Sequence, residues 1–294
     1  MTAPVSLSEG SRLLTRVSAA AFAVLGAVFF LFPAWSSDEF PWKVTDFMAM
    51  TMGGWCLGNA FMGWWAARDW RWASMYPLLV YYWTFAAVEV AVLIWFRDLI
   101  RFDDGILTWP YLLTLGLALA TAVVGLSDLL RTRPAPVGPA DVPAPGTVRV
   151  LGAVFVILVA FLALWGLTNP DSGQTRNIFP EPLSPFTIRA FAVFYGSIAV
   201  GAVPLVFARI ITPTLSYAKG GIGLIVPITV AAFAYIGVFD FDSHPKQLIY
   251  IGAYVGVFIA AIGLLLWARA RERRVRGPVL AATGPDRKNP STQP

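Results

Sequence analysis

The sequence predicts an all-α integral membrane protein of eight transmembrane helices, arranged as two parallel four-helix repeats with both termini in the cytoplasm. Three observations predict it. Of the 294 residues, 57% are hydrophobic and 13% are charged, and the mean hydropathy is +0.66; a soluble fold cannot hide that much apolar surface. Charge-free runs of membrane-spanning length recur along the chain. The two halves also echo each other across a Pro-rich middle segment.

A spanning helix needs roughly 20 apolar residues. Cutting the chain at its charges leaves runs at 17–37, 47–67, 72–96, 105–127, 150–170, 190–208, 220–239 and 247–268, with Glu89 the one charge inside a run. In lipid only helices or closed barrels satisfy the backbone, and these runs lack the alternation of barrel strands. The first run is too long for a signal-peptide core and no small-residue cleavage site follows it, so it reads as a retained helix.

Basic residues set the orientation. With the N-terminus cytoplasmic, the inner segments hold Arg12, Arg16, Arg68, Arg71, Arg131, Arg133, Arg149, Arg209, Lys219 and a basic C-terminal tail, which is most of the 22 Lys and Arg. The outer loops hold most of the acids. Ten of the 12 tryptophans fall near run ends, as an interfacial belt does. These features place the chain in the cell membrane as a multi-pass protein, in a bacterial inner membrane.

The domain reading is 1–130 for the first repeat, 131–147 for a cytoplasmic Pro/Ala-rich linker, 148–276 for the second repeat and 277–294 for a disordered tail. Ala49, Gly53 and Gly58 recur 143 positions on as Ala192, Gly196 and Gly201. Further along, Phe102, Asp103 and Tyr111 recur 139 positions on as Phe241, Asp242 and Tyr250. The change of four residues is about one helical turn. Four spans per unit is an even number, so the repeats would run parallel about an axis along the membrane normal. The shared VLGAVF at Val24 and Val150 is discounted, because it falls at different depths in its two helices.

Several chemistries are excluded or weakened. One cysteine, Cys56, allows no intramolecular disulfide, iron–sulfur cluster or thiolate zinc site, and one histidine, His244, allows no bis-histidine haem. No nucleotide-binding, hydrolase or zincin motif is present. The net charge of +5 lies at membrane edges, so no nucleic-acid partner is implied. Asp240, Asp242 and His244, with Asp103 and Asp104 in the matching loop, have no diagnostic spacing, and no metal or other cofactor is expected.

Glu89 is the strongest candidate site residue. It lies about 7 Å from the middle of its run toward the outer side, where insertion of a carboxylate costs about 2.5–3.5 kcal/mol. It is expected to be protonated, paired or in contact with water, as a proton-coupling acid or as a structural one. Thr51, Tyr111, Tyr195 and Tyr235 fall at similar depth, and their hydroxyls could bond a carboxyl or a ligand. Asp46 and Arg189 take equivalent places in the two repeats, so they could meet as an ion pair or an outer gate; Arg189 could instead pair with Glu89. Asn59, among Gly53, Gly54, Gly58 and Gly63, reads mainly as helix packing with a cross-interface hydrogen bond. Arg269, Arg271, Arg273, Arg274 and Arg276 would hold anionic lipid headgroups.

The expected function is a small-molecule transporter, for apolar or amphiphilic cargo, with its path between the repeats and Glu89 coupling protons. The alternative is an accessory membrane subunit or sensor that acts through a protein partner or a second copy. No catalytic set stands out, so an enzyme ranks last.

Overall fold

The computed structural model describes residues 6–103, 105–134, 142–168 and 178–282; of residues 272–282 only the backbone is described. The helices are α1 Glu9–Leu31, α2 Pro33–Asp38, α3 Asp46–Asp69, α4 Trp72–Trp95, α5 Thr108–Thr132, α6 Gly146–Thr168, α7 Pro185–Val206, α8 Thr212–Ala234 and α9 Gln247–Ala282. Short 3-10 turns follow α4 at Arg97–Leu99 and α8 at Ile236–Val238. Among the described residues there is no strand, only one isolated bridge between Pro143 and Ile210.

Among the described residues seven helices, α1 and α4 to α9, are long and apolar enough to cross a membrane. This is an all-helical, multi-pass membrane architecture. The remaining long helix, α3, occupies the second expected run but is less apolar. Its place explains why. It packs against α1, α2, α4 and α8, and most of its residues are buried, including Thr51, Cys56 and Asn59. A helix surrounded by helices sees little lipid, so small and polar side chains are tolerated there.

Three run boundaries move. The first run breaks after Leu31, because Pro33 cannot continue α1 and instead starts the short α2. The linker contracts to 133–145, of which 135–141 lie outside the described residues. Helix α9 continues through Gly277 and Pro278 to Ala282, where a disordered tail was expected; the rest of that tail, 283–294, lies outside the described residues.

The packing follows a paired scheme. Within the first half α1 packs on α3, and α4 on α5; within the second, α6 packs on α7, and α8 on α9. Across the halves, α3 packs on α8, α7 packs on α4, and α4 meets α8. Glycines permit these close crossings. A Cβ on Gly53 would lie 2.6 Å from the Phe30 amide nitrogen on α1. One on Gly58 would lie 2.7 Å from Leu224 Cα on α8, and one on Gly201 would lie 2.6 Å from Tyr81 Cβ on α4.

The two ends of the bundle are pinned differently. At the end holding the start of α1, Trp70 Nε1 donates to the Leu7 carbonyl at 3.0 Å, and Ser11 Oγ donates to Asp128 Oδ2 at 2.5 Å. At the opposite end the loops before α3 and α7 clasp each other. Trp42 Nε1 donates to Thr187 Oγ1 at 3.3 Å, and Thr45 Oγ1 donates to Glu181 Oε2.

Candidate functional site: a lateral crevice and a buried carboxyl

One packing contact has no counterpart in the other half. Helix α1 packs on α5, but α6 and α9 make no comparable contact. Between them opens a crevice of about 410 Å³, floored by α7 and α8. Its wall runs along α9 from Ile249 to Leu264, about 22 Å at helical rise. The lining is almost wholly apolar, with Leu151, Phe155 and Leu158 on the α6 side and Val257, Ala260 and Leu264 on the α9 side.

The floor explains the opening. In the first half, Phe22 of α1 packs edge-on against Tyr82 at 5.9 Å and against Phe85 at 6.2 Å, so aromatic rings fill the space between the helices. Ser18 and the Tyr82 hydroxyl complete that contact at 2.7 Å. The residues 143 positions after Tyr82 and Phe85 are Ile225 and Ile228, and both line the crevice. Aliphatic side chains there leave unfilled the volume that rings occupy in the first half.

The crevice carries a few hydroxyls. Tyr195 and Tyr254 share a hydrogen bond of 2.8 Å, and the Tyr217 hydroxyl donates to the Ile198 carbonyl at 2.7 Å. The Tyr250 ring stacks edge-on against Tyr254 at 5.0 Å, but its hydroxyl has no hydrogen-bond partner, although the residue is 3% exposed. Thr214 Oγ1, toward the other end, is likewise buried without a partner. Buried polar atoms of this kind are rare, because each one forfeits its hydration.

Glu89 lies elsewhere, on the α4 side of the core. It is 1% exposed, and its Oε1 has no hydrogen-bond partner. Cys56, Tyr81 and Tyr111 are its electrostatic neighbours. None of the four hydroxyls expected beside it bonds it. Tyr111 packs in an aromatic cluster with Phe29, Phe40 and Trp42. Tyr195 belongs to the crevice. Tyr235 lies against Phe47 at the loop end, and Thr51 lies beside the Tyr250 hydroxyl without completing a bond to it.

The expected charge pair does not form. Arg189 donates to the Gly166 carbonyl at 2.5 Å, in the last turn of α6, where the helix dipole favours a cation. Asp46 accepts from Ser37 Oγ at 2.6 Å. Asp46 is the first residue of α3, whereas Arg189 is the fifth of α7, so the two stand about one turn apart in depth. Arg189 does not reach Glu89 either, having turned outward to α6. Asn59 Nδ2 donates at 2.9 Å to the Trp55 carbonyl of its own helix, and the Tyr81 hydroxyl of α4 lies beside the Asn59 side chain. The glycines around it make the close packing, as expected. Among the described residues, no group of three His, Cys, Asp or Glu could hold a metal ion. Asp240 instead shapes its own turn, accepting from the Ser243 amide at 3.0 Å.

At the loop clasp, burial pushes the Glu181 carboxyl above its usual range, and nearby Asp46 adds to this against the opposing hydrogen bond from Thr45. A raised folded-state value means that the folded form holds the proton more tightly. Glu181 therefore contributes stability that is complete below about pH 4.3 and is lost as the pH rises through its own raised value. Glu181→Gln should flatten this decline with rising pH in thermal unfolding. An unaltered profile would remove Glu181 as its source.

The sequence carries a trace of the crevice in Ile225 and Ile228, which stand 143 positions after the rings of Tyr82 and Phe85. Tyr217, Tyr250, Tyr254 and Thr214 were missed as a group, because their rotational positions are not readable from depth alone. Compared with known proteins, the chain matches no family model, no curated protein and no solved structure. The fold thus defines the class, a multi-pass helical membrane protein, and the site must be read from its own chemistry.

Proposed function

We propose that this protein is a duplicated four-helix carrier that takes a neutral, long-chain amphiphile from the bilayer into the crevice between α6 and α9, with Glu89 as the proton-accepting group of its cycle. The crevice carries the reading. It is apolar along its length, open between two helices of low burial, and bordered by the buried hydroxyls of Tyr250 and Thr214, which a ligand reaches only if those side chains turn toward it. An apolar body with one hydrogen-bonding group matches that lining.

Equivalent contacts support duplication. Gly58 meets Leu224 while Gly201 meets Tyr81, and both members of the second pair are 143 positions from their counterparts in the first. At the loop end the separation is 139. Phe40 packs on Tyr111 at 6.0 Å, and Phe179 on Tyr250 at 5.7 Å. Thr45 caps α3 and Ser184 caps α7. Thr108 Oγ1 accepts no loop amide but donates to the Arg101 carbonyl, whereas its counterpart Gln247 accepts from the Asp240 amide. On this reading α7 gains one turn at its loop end and α8 loses one, which places the four-residue change. An even number of spans per repeat and the basic residues at the other end favour cytoplasmic termini. Arg271, 5.6 Å from the Trp267 ring, suits the expected role of the α9 arginines at anionic headgroups.

The test uses hexadecanol bearing a photoreactive diazirine. Irradiation of the protein in liposomes should label α6 and α9 at crevice positions. Gly256 lines the crevice and has open space at its Cβ, so Gly256→Trp should fill the site and suppress labelling. Gly252, also open but not in the lining, serves as control: Gly252→Trp should label normally. Equal labelling of all three proteins would defeat the reading. The exposure of α6 and α9 favours one second reading, in which a partner's transmembrane helix or a second copy sits in the crevice; constitutive oligomers that dissociate on Gly256→Trp would select it.

A further inference from the structure

We infer that a second, separate site binds the phosphate of an anionic phospholipid between α1 and α3. A cleft of about 360 Å³ opens there, lined by Arg12, Arg16, Trp64 and Arg68. Arg12 and Arg16 are one turn apart on α1, and Trp64 and Arg68 one turn apart on α3, so each helix presents its pair on one face.

These residues have different duties. Arg12 Nε donates to the Ala67 carbonyl at 2.8 Å and its Nη1 pairs with Glu9 at 3.2 Å. In the second half Arg149 Nε donates to the Ala208 carbonyl at 2.9 Å. A basic residue that staples the first helix of each half to the end of the next thus accounts for Arg12. It does not account for Arg16 or Arg68. Among the described residues neither guanidinium donates a hydrogen bond to the protein, and Arg68 only approaches the Trp65 ring, at 6.0 Å. Four residues after Arg149 stands Ala153, so the second half has no basic counterpart of Arg16.

The nearby acids are engaged. Asp69 pairs with Arg71 at 2.6 Å, and Asp128 accepts from Ser11. The cleft therefore holds two arginines without protein acceptors beside one exposed acid, Glu9. Guanidinium forks match phosphate oxygens, and a tryptophan at the span end marks headgroup depth. A phosphodiester headgroup whose chains lie along α1 satisfies both. Free phosphate shares the chemistry but leaves Trp64 without a role. This site does not depend on the carrier reading.

The experiment measures thermal unfolding and native mass spectra of the full chain in a neutral maltoside detergent. Phosphatidylglycerol, phosphatidylcholine and inorganic phosphate are added separately. Phosphatidylglycerol should raise the unfolding temperature and be retained in the spectra, and the other two should do neither. Arg16→Gln with Arg68→Gln should weaken the apparent lipid affinity about 30-fold, while Arg209→Gln leaves it unchanged. Equal responses to both lipids, equal stabilisation by inorganic phosphate, or an undiminished response in the double variant would each overturn the proposal. Either of the first two outcomes is read on the wild-type protein, so the proposal can fail even if the double variant does not fold; Arg68→Gln alone, at an exposed position, then separates this cleft from the arginines of α9 by losing part of the lipid response.

Discussion

Alanine at Gly53 or Gly201 should destabilise the fold by about 1–3 kcal/mol each, lowering the unfolding midpoint by several degrees at roughly 2–4 °C per kcal/mol. The cause is backbone proximity. The new Cβ at position 53 would stand 2.6 Å from the Phe30 amide nitrogen and 2.9 Å from the Phe29 carbonyl carbon. At position 201 it would stand 2.9 Å from the Pro77 carbonyl oxygen as well as against Tyr81. No rotamer change relieves such contacts, so whole helices must separate. Gly58→Ala should behave like Gly201→Ala, because it drives α3 from α8 as the latter drives α7 from α4. Gly116→Ala, with nothing within 4 Å of its Cβ, should be neutral or slightly stabilising. Thermal unfolding in detergent reads all four. Equal midpoints for Gly53→Ala and Gly116→Ala would mean that α1 and α3 do not cross as closely as described.

The same glycines show what could be read from the chain and what could not. Their recurrence at a fixed separation was legible, since a small residue at a helix crossing leaves a trace in the sequence. The helices were legible too, because lipid demands long charge-free runs. The break at Pro33 was available from the residue itself but was hidden by the length of the first run. Helix α3 was predicted as a span on absence of charge. Its glycines, Thr51 and Asn59 belong to a helix sheathed by others, which a charge criterion cannot distinguish. Arg189 misled for a different reason. A separation of 143 places it opposite Asp46, but Asp46 opens α3 while Arg189 stands four residues into α7, and its guanidinium meets the Gly166 carbonyl. Depth places Thr51 and Tyr195 at the level of Glu89 but does not give the side of the helix, and both face the Tyr250–Tyr254 group instead.

Glu89→Gln should preserve folding and hexadecanol labelling while abolishing proton movement. Glutamine reproduces the size and hydrogen-bonding atoms of the acid but has no proton to give or take. The site asks little of the carboxyl structurally: its Oε1 has no partner and no arginine or lysine pairs with it among the described residues. Glutamine keeps the side-chain volume and carries no charge that burial would penalise, so the unfolding midpoint should hold or rise. Glu89→Ala should instead lose stability, because it leaves a void between α4 and Cys56 of α3. The measurement uses liposomes containing the protein and an entrapped pH-sensitive dye, with hexadecanol added under an imposed pH gradient. Wild-type protein should acidify the lumen on addition, and the Gln variant should not. Gly256→Trp should silence the signal as well, by excluding the alcohol while Glu89 remains intact. If the Gln variant moves protons as well as wild type, Glu89 is a packing residue and the crevice works without it. If Gly256→Trp alone leaves the signal untouched, the carboxyl and the crevice are uncoupled, and Glu89 serves some path other than the one between α6 and α9.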